Sequence, residues 1–439
     1  MIFGWIPDFG THNLVRILFL NDLHDPRIGS SIRQMYQEGE RLRELGHETA
    51  LVSAVQDRAL STPTQIEGMD VFRLWSDYNV RFRGWRSLDN PSVREPLARV
   101  LAEWKPDVVH SHLLHTHLSY DALRAARESG AAVVFTAHDV MTFCYQKLTC
   151  FHGGEARGGR ERDYEAYWQK CIPCQRLRWN PWRNAAIRKR LNRDVHRFTV
   201  VSNELGEAIR RNKIRVDRTI HNAVREQERL PDAQAVAAFR TRFGLEDKLV
   251  IAIAGRLHEQ KGVHQLFKML ELLAPRFPNL RLILMGKRDL YETQFRAQAE
   301  QLGVASRIVT TGWLDGADLQ CAYAATDVFA TPSICFDTFG MVNLEAMEHS
   351  KPVVATEFGG SREVVVDGVT GFVRNPFDVE AFSEAIARLL ADSALRARFG
   401  AAGHARLLER FTIERLTAEF LDEYQRALAA RAAHEATVR

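Results

Sequence analysis

Two acids eight residues apart, Asp337 and Glu345, bracket a glycine in the stretch ICFDTFGMVNLEAM (334–347). An aspartate does not belong inside a core strand, nor a glycine inside a helix, so the stretch reads as a loop that becomes a helix at Gly340. The first amides of a helix lack partners within it and carry about half a positive charge, which suits a phosphate. The amides of Gly340, Met341 and Val342 are therefore candidate phosphate donors, with Gly340 allowing close backbone approach. A second stretch, GRLHEQKG (255–262), supplies side-chain cations. Gly255 turns the chain off a strand; Arg256 then offers a planar fork and Lys261 a mobile point charge, a pair suited to a diphosphate. On their own these two bases read equally well as solvated loop residues. Asp337 and Glu345 would flank the anion and accept hydrogen bonds from neutral hydroxyls. Ribose on one side and a sugar on the other make the expected ligand a nucleoside-diphosphate sugar.

Such residues must be delivered by strand ends. Continuous Val/Ile/Leu runs recur at 15–21, 49–54, 107–112, 132–138 and 198–202, and again at 249–256, 281–286, 307–312, 327–333 and 351–360. Unbroken apolar runs, rather than alternating ones, indicate strands covered on both faces of a parallel sheet. Amphipathic stretches between them, such as IRQMYQEGERLRELG (32–46), complete βαβ units. The expected fold class is α/β with two Rossmann-like, doubly wound domains facing across a cleft. The N-terminal domain spans 1–218 with a cysteine-containing insertion at about 144–175, the C-terminal domain 219–411, and a final helix 412–439 packs back on the first domain. Ligands of such sheets bind beyond the carboxyl ends of the strands, where both motifs fall.

Composition narrows the class. The 439 residues are 46% hydrophobic and 26% charged, with a net charge of +4, which permits an anionic ligand without calling for nucleic acid. No apolar run approaches the roughly 18 residues of a membrane span, and MIFGWIPDFG lacks the basic start of a signal peptide. The expected location is the cytoplasm, with peripheral contact at the inner membrane face as an addition.

Three further features carry chemistry. Cys144, Cys150, Cys171 and Cys174, the last two as CIPC, have the donors for a structural zinc site in a segment poor in apolar residues; free thiols are the alternative. HSHLLHTH places His110, His112, His115 and His117 close together without a carboxylate among them, and packing or surface roles are expected for most. RLRWNPWRNAAIRKRLNR (176–193) and NVRFRGWRS (79–87) are basic with interleaved aromatics. A solvated helix is the first reading of 176–193, and an anionic membrane surface the second.

The combination of 255–262, 332–347 and GGSREV (359–364) resembles the nucleotide-binding motifs of glycosyltransferase family 4, the retaining GT-B enzymes. IGSS (28–31), LRELGHETALVSA, DVVHSH, FTAHD and VVSN are weaker matches in the first half, and RFTIERLTAEFLDEY resembles the family's closing helix. The resemblance implies a transferase that uses a UDP- or GDP-type sugar donor and a glycan, lipid-linked or small-molecule acceptor, with no catalytic metal. It gives Arg256 and Lys261 the leaving diphosphate, Glu345 the ribose, Asp337 the transferred sugar, His138 the reacting centre, and Gly29 and Ser30 the donor phosphate or acceptor. The chain departs from the family pattern at Asp337, where glutamate is usual, at Ser30 and at Ala223. A sugar-nucleotide epimerase on the same fold, or a weakly active nucleotide-binding partner of another transferase, remains open on these residues.

Overall fold

A computed structural model describes residues 14–26, 29–152, 162–226 and 230–438. The opening MIFGWIPDFG, Ile28 of the glycine loop, part of the cysteine insertion and part of the polar segment EQERLPDAQ lie outside the described residues.

The chain builds two sheets. The first contains β1 (Arg16–Leu20), β2 (Glu48–Val55), β3 (Thr64–Ile66), β4 (Met69–Trp75), β5 (Val108–Ser111), β6 (Ala132–Ala137), β7 (Arg197–Val200) and β8 (Arg218–Thr219), in the order β3-β4-β2-β1-β5-β6-β7-β8. The second contains β9 (Leu249–Ala254), β10 (Leu280–Met285), β11 (Ile308–Thr310), β12 (Val328–Thr331), β13 (Val353–Thr356) and β14 (Gly371–Arg374), ordered β11-β10-β9-β12-β13-β14. Pairing is parallel throughout, apart from the β3–β4 hairpin at one edge. Strand order reverses beside β1 and β9, the position where open α/β sheets form a ligand crevice. Every apolar run read from the sequence became a strand because helices bury both faces. β3, β4, β8 and β14 escaped that reading: β3, β8 and β14 are short edge strands, and β4, which is longer and lies inside the edge, is broken by Asp70 and Arg73.

The last helix, Ile413–Val438, lies on the first sheet. Ile413, Leu416, Phe420 and Tyr424 pack with Ile17, Phe19 and Val134. Beneath it runs a buried polar chain. Tyr424 donates to Glu38 Oε1 at 2.7 Å and bonds His110 Nδ1 at 2.8 Å, while His110 Nε2 meets Thr136 Oγ1 at 2.7 Å. Glu38, His110 and His112 are the one group of three metal-capable side chains within 4.8 Å among the described residues. Both ring nitrogens of His110 are already occupied, so it serves as a hydrogen-bonded post for the helix. The HSHLLHTH histidines are all buried, which agrees with packing roles, but carboxylates distant in sequence stand beside them. Asp139 meets His115 at 3.0 Å, and Asp22 accepts the amides of Thr116, His117 and Leu118.

The two domains are tied directly. Ser202 Oγ donates to Thr338 O at 2.7 Å, and Glu363 accepts the amides of Asn203 and Glu204 at the start of the helix Asn203–Arg211. No helix among the described residues is long and apolar enough to cross a membrane.

Burial pushes the Glu38 carboxyl up to about 8, against the pull of Tyr424. The folded chain therefore keeps a proton that the unfolded chain releases as pH rises past its ordinary value of 4.5. Stability should be greatest below that value, fall as pH rises toward about 8, and level off above it. Glu38→Gln should remove this decline. Thermal melts of the variant and parent should diverge in the variant's favour between pH 5 and 8, by on the order of a few kcal/mol.

Candidate functional site

The cationic loop and the donor loop are one unit. Gly255 leaves β9 with φ 106° and open space around its Cα, so its freedom serves the turn. Gly262, at φ 74°, lies so close to the loop after β12 that an added Cβ would stand 1.8 Å from Pro332 O. The Ile334 amide donates to Gln260 O at 2.9 Å. This seating places Lys261 Nζ 3.3 Å from Asp337 Oδ2, an oxygen that also accepts from Ser333 Oγ at 3.1 Å. Burial opposes the Lys261 charge, but Asp337 and Cys335 outweigh it and hold the ammonium above the ordinary lysine value. Arg256 lies within electrostatic reach of Lys261. The cationic loop thus meets the acid ahead of the helix Met341–Glu348, with Lys261 paired to Asp337, a contact the sequence reading did not include.

Gly340 precedes that helix at φ 82°. A Cβ there would lie 2.5 Å from Asn343 Nδ2 and 2.8 Å from Ser361 Oγ. The glycine is therefore required by its own backbone and neighbours, a reason different from the ligand approach inferred from sequence. Met341 and Val342 follow it half-buried on the first turn. Glu345 sits farther along, where Tyr323 donates to Oε2 at 2.5 Å and Arg33 of the other domain reaches Oε1 at 3.5 Å. Burial raises its carboxyl, with Arg33 and Tyr323 pulling the other way. A cleft beside it is lined by Arg33, Gln34, Arg225, Tyr323 and Met341. Asp337 and Glu345 each face their own cation, Lys261 and Arg33 respectively.

In the N-terminal domain, Gly29 caps the helix Ser30–Glu44 in an extended conformation, and a Cβ there would make only ordinary contact with Ile32 at 3.8 Å. Ser30 is the first residue of that helix. His138 follows β6, its Nε2 2.8 Å from His112 Nδ1 and its Nδ1 without a partner. Burial lowers it to about 4, so it stands as a neutral imidazole with one unused nitrogen.

Sequence reasoning missed Lys147. It projects from the cysteine insertion of the first domain toward the second domain's loops. Burial lowers its ammonium; Cys335 and Asp337 support the charge, while Lys261 and Arg256 repel it. Its segment is clamped there: Phe336 N donates to Leu148 O, and the Phe151 and Tyr164 rings meet Phe336 at 6.0 and 5.3 Å. His258 is lowered by burial and by Lys147, Arg256 and Lys261 together. Lys147 and Arg256 have no ion-pair partner among the described residues, so this corner holds three cations and the Asp337 carboxylate.

Two family profiles match consecutive parts of the chain: a glycosyl transferase 4-like domain over residues 31–223 and glycosyl transferases group 1 over residues 237–406. The chain belongs to the GT-B glycosyltransferases of family 4. Among curated relatives of the family, it is 38% identical over 179 residues to the GDP-mannose-dependent alpha-(1-6)-phosphatidylinositol monomannoside mannosyltransferase of Mycolicibacterium smegmatis. That match covers 39% of this chain and 47% of the relative. It is 37% identical over 206 residues to D-inositol 3-phosphate glycosyltransferase of Xylanimonas cellulosilytica, covering 46% and 48%. The chain thus spans about half the length of these relatives. The fold matches sucrose-phosphate synthase of Thermosynechococcus elongatus (TM-score 0.74, 20% identity, 95% of this chain and 100% of that one). It also matches Anabaena HepE in complex with UDP and glucose (TM-score 0.70, 19% identity, 94% and 99%).

Against this family frame, the cysteines form a loose group. Cys144 Sγ accepts the Gln146 amide at 3.4 Å, and Cys150, Cys171 and Cys174 lie within electrostatic reach of one another. Burial keeps Cys144 up at about 12 and Cys171 at about 11. The donors suit zinc in type, but no three of the sulfurs close within 4.8 Å among the described residues, wider than a tetrahedral site with bonds of about 2.3 Å allows. The reading of 176–193 as one solvated helix also needs correction. The helix covers Arg183–Asp194, and Arg183 is fully buried, its guanidinium 4.6 Å from the Tyr145 ring centroid.

Gly262→Ala should break the junction of the two loops. The added carbon meets backbone in a left-handed conformation, so a loss of at least roughly 2 kcal/mol is expected. Chemical denaturation measures it.

Proposed function

We propose that the chain is a retaining glycosyltransferase acting on a UDP- or GDP-type sugar donor and a hydroxyl of a glycan, lipid-linked or small-molecule acceptor. One observation carries the reading: Lys147, Arg256 and Lys261 converge on a corner with a single carboxylate, beside the amide-rich start of the helix Met341–Glu348. Three cations and one acid leave a surplus of positive charge that a diphosphate matches. The donor class is supported by the activities for which the relatives are named, one of which is GDP-mannose-dependent.

In this reading the acceptor oxygen attacks the anomeric carbon on the face from which the diphosphate leaves. The carbon–oxygen bond to the β-phosphate breaks, its electron pair stays on the phosphate, and the acceptor proton passes to a phosphate oxygen. Arg256, Lys261 and the amides of Gly340, Met341 and Val342 stabilise the charge that develops there. Glu345 binds ribose, with Tyr323 and Arg33 fixing its carboxylate, and Asp337 orients the sugar from its seat on Lys261. Neutral His138, just after β6, is the residue that the family resemblance puts at the reacting sugar. Gly29 and the start of the helix Ser30–Glu44 are assigned to the donor phosphate or the acceptor. Closure of the domains would exclude water that otherwise hydrolyses the donor.

The nucleobase follows from a thermal-shift comparison of UDP, GDP and ADP. With the donor so found, Arg256→Ala and Lys261→Ala should each lower turnover by roughly a hundredfold or more. Arg256→Ala should melt as the parent does, and Lys261→Ala, which leaves Asp337 without its cation, should fold with a lowered melting temperature. Near-parental rates in both would refute the assignment. Lys147→Ala should weaken nucleoside-diphosphate binding about tenfold, the loss of one charge-assisted hydrogen bond. We also propose that the four cysteines take up zinc, drawing the loose quartet together. Metal analysis of untagged protein should give one zinc per chain, lost in Cys171→Ser, and four freely titrating thiols would exclude it.

A further inference from the structure

Two stretches far apart in sequence, 79–87 and 176–182, form one surface. Asn180 Nδ2 donates to Gly84 O at 2.8 Å, and a Cβ on Gly84 would lie 3.1 Å from Arg178 O. Tyr145 lies under both, donating to Asn180 O at 2.6 Å while its own carbonyl accepts from Arg83. Among the described residues, half of the large apolar side chains left exposed fall in 79–87 and 167–182. Leu177 is fully exposed, Trp182 70% and Val80 65%, with Phe82 and Trp85 also exposed in the same two stretches. Arg81, Arg86, Arg176 and Arg178 are also exposed, and none has an ion-pair partner among the described residues. Neither 79–87 nor 176–182 contains an acid.

We infer that this face docks on a bilayer surface with anionic headgroups. Tryptophan, phenylalanine and aliphatic side chains standing clear of the surface match the boundary between headgroups and acyl chains, and unpaired arginines match anionic lipid phosphates. Single-stranded nucleic acid is the poorer fit, because it stacks on aromatic platforms and gives Val80 and Leu177 nothing to contact. The basic helix Arg183–Asp194 takes little part, since Arg183, Ile187 and Leu191 are buried against the domain. The docking face is therefore the turn before that helix together with the distant arginine loop. The inference is independent of the transfer reading.

Flotation of the full chain with phosphatidylcholine vesicles, with and without phosphatidylglycerol, tests it. Binding should require phosphatidylglycerol, weaken with salt, and shift tryptophan emission to the blue. Arg81→Ala with Arg178→Ala should weaken it by about fivefold per arginine, and Leu177→Ser with Trp182→Ser should reduce the emission shift, leaving the part that Trp85 contributes. Both pairs should melt as the parent does, because the side chains are exposed. No flotation at low salt, equal binding by both pairs, or retention on single-stranded RNA in place of vesicles would overturn it.

Discussion

The contact of Gly262 with Pro332 sets the geometry of the site. Only a residue without a side chain lets the loop after β9 lie against the loop after β12. That contact puts Lys261 on Asp337 in a half-buried place, where the carboxylate keeps the lysine charged despite lost hydration. The same loop continues to Gly340, whose left-handed backbone is locked by Asn343 and Ser361 and aims the following helix. Cation, acid and helix start are thus fixed by backbone packing before any ligand arrives, the kind of preorganisation that favours charge stabilisation.

The site is also a junction of domains. Lys147 and Arg33 come from the first domain, Arg256, Lys261, Asp337 and Glu345 from the second. Aromatic edges between Phe151, Tyr164 and Phe336 hold the insertion against the donor loop. Glu363 caps a helix of the opposite domain and bonds His221 at 3.0 Å; burial works against its charge, but His221 and the amides of Asn203 and Glu204 prevail. The motif GGSREV therefore joins domains as well as bordering the site.

Buried polar groups elsewhere obey a different rule. Glu38, Tyr424, His110 and His112 lie in a region where charge is expensive, and burial favours the neutral form of each. Their hydrogen bonds fix where the final helix lands, alongside the ion pair of Arg197 with buried Glu423 at 2.7 Å. Arg183 is a buried cation with no acid beside it in the ion pairs of the described residues. It stays buried by resting on the Tyr145 face and donating to the Met141 carbonyl.

Local chemistry made much of this legible. Unbroken apolar runs identify parallel strands because helices must cover both faces, and glycines, acids and bases just after those runs mark the crevice. Arg256, Lys261, Asp337, Gly340 and Glu345 were readable because they fall in the loops that follow β9 and β12, or in the helix that the second loop opens. Lys147 was not: it sits in a cysteine-bounded insertion without periodicity, and only packing of Phe151 and Leu148 on Phe336 carries it to the other domain. The partners of the histidines were equally hidden, since Glu38, Asp22 and Asp139 come from separate βα units. The sequence by itself determined the two sheets and the residues at their carboxyl ends, because those follow from period and composition. Tertiary structure alone decided which charges meet, which basic residues are buried, and that two distant arginine-rich stretches share one face, because those depend on contacts between segments far apart along the chain.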